Sequence, residues 1–204
     1  MLEVKAVCFD LGGVLIRIHH DWAGALRAAG LPVSADRDYG ALGGFAAFDL
    51  YQGGEIGTEE YLAALAKFLQ VTDTAKAMRA HMAILRDEYP GVVGLIEDLT
   101  ARGVVCGCLS NTSSAHWETF FDGQRYSFGP MLKVRIGSHI ERLSKPMPEI
   151  YRAFESAAGA AGAEVAYFDD GERNVAAARE LGWRAWRIDP SGDPASDMRS
   201  ALGL

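Results

Sequence analysis

Val4-Lys5-Ala6-Val7-Cys8-Phe9-Asp10-Leu11-Gly12-Gly13-Val14-Leu15 runs from a largely apolar stretch into an acidic residue and a glycine pair. A nearly continuous apolar run suits a strand buried on both faces, as in a parallel sheet covered by helices. The pattern recurs at Val104 to Ser110, Leu132 to Ile136, Val165 to Asp169 and Arg184 to Ile188. Between these runs lie helical patterns at Val92 to Arg102, Ser113 to Phe121, Pro148 to Ala158 and Asn174 to Leu181, the last stopped by Gly182. Strand alternating with helix predicts an α/β fold, a doubly wound and mainly parallel sheet with helices on both faces.

One section departs from that rhythm. From Arg17 to Tyr89 no strand pattern is visible, and three helical patterns replace it: Asp21 to Ala29, Thr58 to Leu69 with Thr58 as N-cap before Glu59 and Glu60, and Asp73 to Arg86. Glycine-rich stretches at Gly40 to Gly44 and Gly53 to Gly57 separate them, and Tyr89-Pro90-Gly91 marks the return to the sheet. The chain is expected to divide into an α/β core, residues 1–16 and 90–204, and a small all-α unit, residues 17–89. No internal repeat is present, and Ala157 to Ala163 reads as a helix end with its loop.

Of 204 residues 49% are apolar, enough to build a core and to exclude disorder and fibres. No run approaches the roughly 20 apolar residues of a membrane helix. Met1-Leu2-Glu3-Val4-Lys5 leads into a strand pattern and not a basic, apolar leader, so a soluble, cytosolic protein with no membrane partner is expected. Lys and Arg number 20 against 27 Asp and Glu, a net charge of −7 with no basic cluster, which argues against a nucleic-acid partner. Cys8, Cys106 and Cys108 all lie in apolar runs and read as small buried hydrophobes in a reducing compartment. Cys106-x-Cys108 lacks the second ligand pair of a zinc site.

The chemistry gathers where strands end. Asp10 closes the first run; alone, it reads as a turn-former before it reads as a catalyst. Ser110-Asn111-Thr112-Ser113 offers hydroxyls and amides ahead of a helix, suited to an anion or to ordinary N-capping. Asp169-Asp170 would repel one another unless a cation or a basic group stands between them. Ser144-Lys145-Pro146-Met147-Pro148-Glu149 carries a lysine on a proline-stiffened backbone into the next helix. A doubly wound sheet collects ligands at the carboxyl ends of its strands, so Asp10, Ser110 and Asp169/Asp170 should share one cleft. Three carboxylates with a hydroxyl and a lysine suit Mg²⁺ and a phosphate, leaving one carboxylate free to attack phosphorus.

Together these motifs resemble the haloacid dehalogenase-like hydrolase superfamily, in the phosphatase branch whose helical cap is inserted after the first strand. Phe9-Asp10-Leu11-Gly12-Gly13-Val14-Leu15 matches the first motif, Leu109-Ser110-Asn111 the second, Lys145-Pro146 the third, and Phe168-Asp169-Asp170 with Asn174 the fourth; Tyr51 to Leu65 resembles part of the cap. The resemblance covers essentially the whole chain and implies a Rossmann-like core. It also implies a Mg²⁺-dependent phosphatase acting on a small phosphorylated metabolite, such as a sugar phosphate, through an aspartyl-phosphate. By that likeness Asp10 is the nucleophile, and Ser110 and the Asn111 amide hold phosphate oxygens. Lys145 neutralises the transferring group and orients Asp10, while Asp10, the Gly12 carbonyl, Asp170 and nearby Asp169 surround the metal.

The chain departs from the family pattern at Gly12, where most phosphatases of the family carry a second Asp as general acid and base, a function worth roughly 10²- to 10⁴-fold. His19, His20 and Glu55 are substitutes to consider, each read first as a surface or structural residue. Phe45, Phe48, Tyr51 and Glu55 are candidates for lining the pocket, with packing within the helical unit as the simpler role of the aromatics. Two other functions stay open: a 2-haloacid dehalogenase, disfavoured by the Asp169-Asp170 charge, and a catalytically weak phosphate-binding protein, disfavoured by the joint presence of Asp10, Lys145 and Asp170. A nucleotide-binding dehydrogenase is disfavoured, since Asp10-Leu11-Gly12-Gly13-Val14 is not G-x-G-x-x-G and an acid occupies the turn where a pyrophosphate would approach.

Overall fold

The computed structural model describes residues 4–204, so the part of the N-terminal expectation that falls on residues 1–3 lies outside the described residues. The strands are β1 (Ala6–Phe9), β2 (Ile16–Ile18), β3 (Leu85–Glu88), β4 (Val105–Ser110), β5 (Val134–Gly137), β6 (Val165–Asp169) and β7 (Arg184–Arg187). The helices are α1 (Trp22–Ala28), α2 (Ala46–Gln52), α3 (Thr58–Leu69), α4 (Thr74–Met82), α5 (Val92–Ala101), α6 (Ser114–Phe121), α7 (Ser138–Glu141), α8 (Pro148–Ala158), α9 (Glu172–Glu180) and α10 (Pro194–Leu202).

Five strands form one parallel sheet in the order β5-β4-β1-β6-β7, the arrangement expected of alternating apolar runs and helices. Side chains alternate across it, as the period of two along a strand dictates. Val7 and Phe9 of β1 join Ala166 and Phe168 of β6 in a core shared with Leu95, Ile96 and Leu99 of α5 and Met198 of α10. Ala6, Cys8, Val165 and Tyr167 face the other way, onto Ile150, Tyr151 and Phe154 of α8 and Val175 of α9. Both faces are dry, which is why these strands read as continuous hydrophobic runs. The three cysteines are free and buried within these layers.

Helices α1 to α4 pack around a separate apolar cluster in which Trp22 meets Phe45, Phe48 and Phe68 edge-on, together with Leu26, Tyr61, Leu65 and Leu69. Asp21 and Asp73 cap α1 and α4, their side chains accepting from Gly24 N at 2.6 Å and Lys76 N at 2.8 Å. No helix among the described residues is long and apolar enough to cross a membrane.

Several sequence expectations need correction. The stretch from Arg17 to Tyr89 does contain strand: β2 and β3 pair antiparallel, Ile16 with Glu88 and Ile18 with Leu85, and carry the chain into and out of the helical segment. The helix expected to reach Arg86 therefore ends at Met82. Leu85-Arg86-Asp87-Glu88 extends instead because β2 offers it a partner, a tertiary effect invisible in local pattern. Thr58 is the first residue of α3 and not its N-cap, which is Gly57; the threonine hydroxyl bonds to Tyr51 OH at 3.0 Å instead. Helix α2, seven residues with no side-chain cap at Phe45, gave no start signal.

Candidate active site

Parallel register brings three strand ends to one level. Phe9 pairs with Cys108 on one side and Phe168 on the other, so Asp10 emerges beside Leu109-Ser110 and Asp169-Asp170, and Asp10 N donates to the Phe168 carbonyl at 2.8 Å. Carboxylate oxygens of Asp10, Asp169 and Asp170 lie within 4.8 Å of one another. Gly13 allows this closeness. Its φ is +78°, open to glycine at little cost, and a Cβ there would stand 2.6 Å from Oδ2 of Asp170.

Lys145 reaches into the cluster from the loop before α8. Its ammonium lies 3.0 Å from Asp10 Oδ1 and 2.6 Å from Asp169 Oδ2, with all three side chains almost wholly removed from solvent. Burial alone would push the lysine down, but Asp10 and Asp169 outweigh it and hold the ammonium above its ordinary range. The loop is held by Asn111, whose Nδ2 donates to the Lys145 carbonyl at 3.1 Å while Lys145 N donates back to Oδ1 at 2.8 Å.

The acids respond differently. Asp169 accepts from Lys145 and Tyr167 OH through Oδ2, and from Gly171 N at 2.7 Å and Asn174 Nδ2 at 3.0 Å through Oδ1. Although burial opposes its charge, Lys145 and these donors keep its carboxyl below the usual range. Asp10 is pushed up to about 7, first by burial, with Lys145 opposing and Asp169 and Asp170 adding repulsion. Burial and the neighbouring Asp169 also raise Asp170. Asp10 Oδ1 is buried and takes no hydrogen bond; its partner is the ion pair with Lys145. Two acids with elevated proton affinity, close together and sharing a single lysine with Asp169, suit a hard divalent cation. Asp169 differs from them, since both its oxygens already serve protein donors.

A cavity of about 110 Å³ opens beside this cluster, lined in part by Gly12, Ser110, Asn111, Phe48, Gln52 and His116. Sheet and helical segment are stitched together around it: Gln52 Nε2 donates to the Asn111 carbonyl at 3.2 Å, Ser138 Oγ donates to the Gln52 carbonyl at 2.6 Å, and Tyr51 OH meets Ser114 Oγ at 3.0 Å. His81 of α4 and His116 of α6 stack face to face, with ring centroids 3.9 Å apart. His116 Nε2 donates to the His81 carbonyl at 2.9 Å; burial holds His81 well below the ordinary histidine range and His116 at about 4.

The structure thus brings Asp10, Gly12, Ser110, Asn111, Lys145, Asp169 and Asp170 together. Phe48 lines the cavity, but Phe45 stacks on Phe68 and Tyr51 on Tyr61, each at 4.3 Å within the helical segment. Glu55 and His20 are exposed, and His19 lines a different hollow beside Arg86. Tyr167 was missed, although it lies two residues before Asp169 on β6 and so shares its face. His116 carried no sequence signal, because its place depends on how α4 meets α6.

Residues 4–182 match the haloacid dehalogenase-like hydrolase family. Phosphatase MT3486 of Mycobacterium tuberculosis is 29% identical over 205 residues, an alignment spanning 94% of this chain and 90% of that protein. The fold is similar to that of a predicted HAD-like family hydrolase from Porphyromonas gingivalis (TM-score 0.79, 20% identity, 99% of each chain). It is also similar to HAD family enzyme BT-2542 of Bacteroides thetaiotaomicron in complex with magnesium and inorganic phosphate (TM-score 0.75, 22% identity, 93% of this chain and 96% of that one). With its motifs converging at the ends of β4, β1 and β6 and residues 4–182 of its 204 matched, the chain belongs to the haloacid dehalogenase-like hydrolases.

Proposed function

We propose that the protein is a Mg²⁺-dependent phosphatase that hydrolyses a small phosphorylated metabolite through an aspartyl-phosphate on Asp10. The observation that carries this reading is the buried Asp10, Lys145 and Asp169 set, with Asp170 beside it, at the ends of adjacent parallel strands. Asp10, Asp170 and the Gly12 carbonyl would hold Mg²⁺, and Asp169 stands behind them, anchoring Lys145. When bound, the ion neutralises charge on the phosphate.

The chain's own groups do the rest. Lys145 keeps its proton, aims the Asp10 carboxylate and offsets the negative charge of the transferring group. The Ser110 hydroxyl and the Asn111 backbone amide hold phosphate oxygens. The Asp10 carboxylate attacks phosphorus, the bond from phosphorus to the alcohol oxygen breaks, and water then attacks the phosphorus of the aspartyl-phosphate to release inorganic phosphate and restore Asp10. Residues 17–89 act as a cap that keeps bulk water from the intermediate. At Gly12 no side chain is present to protonate the departing alcohol. The MT3486 likeness supports the phosphatase reading, and the magnesium and phosphate bound by BT-2542 support the choice of ion and anion. The acidic cluster disfavours dehalogenation of a carboxylate substrate. Free buried cysteines support a cytoplasmic location, and the net charge of −7 supports small-molecule over nucleic-acid substrates.

Release of inorganic phosphate from a panel of phosphorylated metabolites, with and without Mg²⁺, tests this. Metal-dependent release should vanish in Asp10→Asn and Asp170→Ala, while circular dichroism shows both variants folded. Full activity of Asp170→Ala, or of the parent protein in excess chelator, would refute the reading.

A further inference from the structure

The cavity beside the acidic cluster is walled by Ile18 and Leu85 of the two-stranded sheet, Leu42, Phe48 and Ile84 of the helical segment, and Phe120 of α6. Among the described residues, no Lys, Arg, Asp or Glu lines it. Apart from Ser110 and the Asn111 amide, assigned above to the phosphate, its polar groups are largely spent on the protein. Gln52 Nε2 donates to the Asn111 carbonyl, the Thr112 amide donates to Ser138 Oγ at 2.9 Å, and His116 Nε2 is turned to the His81 carbonyl. His116 carries no charge near neutral pH, since burial holds it at about 4. Ile18 borders the cavity beside Gly12, its Cδ1 standing 3.2 Å from where a Gly12 Cβ would be. At about 110 Å³ the space falls well below the ~300–1,000 Å³ of drug-sized ligand sites.

We propose that this cavity receives the leaving alcohol, and that the enzyme is selective for phosphate monoesters of small, uncharged, mainly apolar alcohols; this rests on the phosphatase reading above. A carboxylate or a second phosphate on the alcohol would lose its hydration there and meet no cation in the wall. An alkyl group would displace poorly held water and gain contact with Ile18, Phe48, Ile84 and Phe120. The transferring phosphate would sit where Gly12, Ser110 and Asn111 line the cavity, on the side of Lys145, and the alcohol among the apolar residues beyond, so charge and apolarity are sorted to its two ends.

The test is a kcat/KM series on the full chain with Mg²⁺, using methyl, ethyl, n-propyl and n-butyl phosphate, phosphoglycolate, and 4-nitrophenyl phosphate as reference. Values should rise about 10-fold per added methylene until the cavity is filled, with phosphoglycolate about 100-fold or more below n-propyl phosphate. Phe48→Ala should move the optimum toward longer chains. A flat alkyl series, phosphoglycolate matching n-propyl phosphate, or an optimum unmoved in a folded Phe48→Ala protein overturns the selectivity proposal, while turnover of 4-nitrophenyl phosphate preserves the phosphatase reading. Absence of turnover with every ester, 4-nitrophenyl phosphate included, overturns the phosphatase reading and this proposal with it.

Discussion

Gly13→Ala isolates the backbone feature on which the acidic cluster depends. Gly13 has a φ of +78°, and an added Cβ would lie 2.6 Å from Oδ2 and 2.8 Å from Cγ of Asp170. Placing an L-residue in the left-handed region costs about 1–2 kcal/mol. For a chain of this size that corresponds to a fall in Tm of about 2–8 °C. Relieving the contact requires Asp170 to retreat by roughly an ångström, and a displacement of that size in a catalytic constellation costs on the order of 10²-fold in rate. Gly12→Ala is the control, because Gly12 has no left-handed φ and its Cβ would meet the Ile18 side chain and no backbone, at 3.2 Å from Cδ1 and 3.4 Å from Cγ2. Its stability should stay within about 1 kcal/mol of the parent. Differential scanning calorimetry and Mg²⁺-dependent phosphate release read both quantities. Parent-like Tm and activity in Gly13→Ala, or greater damage from Gly12→Ala, would refute the reasoning.

Gly12→Asp combined with Ile18→Ala, which clears the 3.2 Å contact, should accelerate hydrolysis of alkyl phosphates by up to ~10²- to 10⁴-fold with little gain for aryl phosphates; a uniform effect on both would show that proton transfer is already supplied. Lys145→Met should lower kcat by on the order of 10²-fold or more, because the charge aimed at the transferring group is lost, and parent-like steady-state kinetics would contradict this. Acid should weaken the junction of α4 and α6. His81 and His116 have folded-state pKa values below 6.5, so the unfolded chain binds the extra protons and stability falls as pH drops from 6.5 toward 4, by about 1.4 kcal/mol per pH unit for each ring. Urea midpoints at pH 7 and pH 5 should therefore converge in His116→Phe relative to the parent, and equal losses in both proteins would refute it.

The sheet was legible because its strands are buried on both faces and flanked by glycine and helix signals, and Val4 to Asp10 announced both the central strand and the carboxylate at its end. The site was legible for the same reason: topology places strand ends together, so Asp10, Ser110 and Asp169-Asp170 were expected to meet before any distance was known. What stayed hidden depends on partners remote in sequence. Leu85-Arg86-Asp87-Glu88 has the charge pattern of a helix continuation and becomes strand only against Ile16 to Ile18. The place of Lys145 came only from combining the motifs, since nothing local predicts that the loop before α8 delivers it between two acids. The division of labour between Asp169 and Asp170 is equally nonlocal, set by Tyr167, Asn174 and Gly171 on one side and Gly13 on the other. Helix α10 lay outside the sequence expectations, although Asp193, accepting from Ser196 N at 3.1 Å ahead of Pro194, is an N-cap followed by a proline in the first turn.

Covalent capture at Asp10 tests the central claim most directly. The protein is mixed with 4-nitrophenyl phosphate and Mg²⁺, quenched in acid within the first turnover, and its peptides are weighed by mass spectrometry. The peptide containing Asp10 should gain the mass of one phosphoryl group, and the intermediate should persist because no side chain at Gly12 activates water. Turnover without a phosphorylated Asp10 peptide, or sustained turnover in Asp10→Asn, would contradict the account.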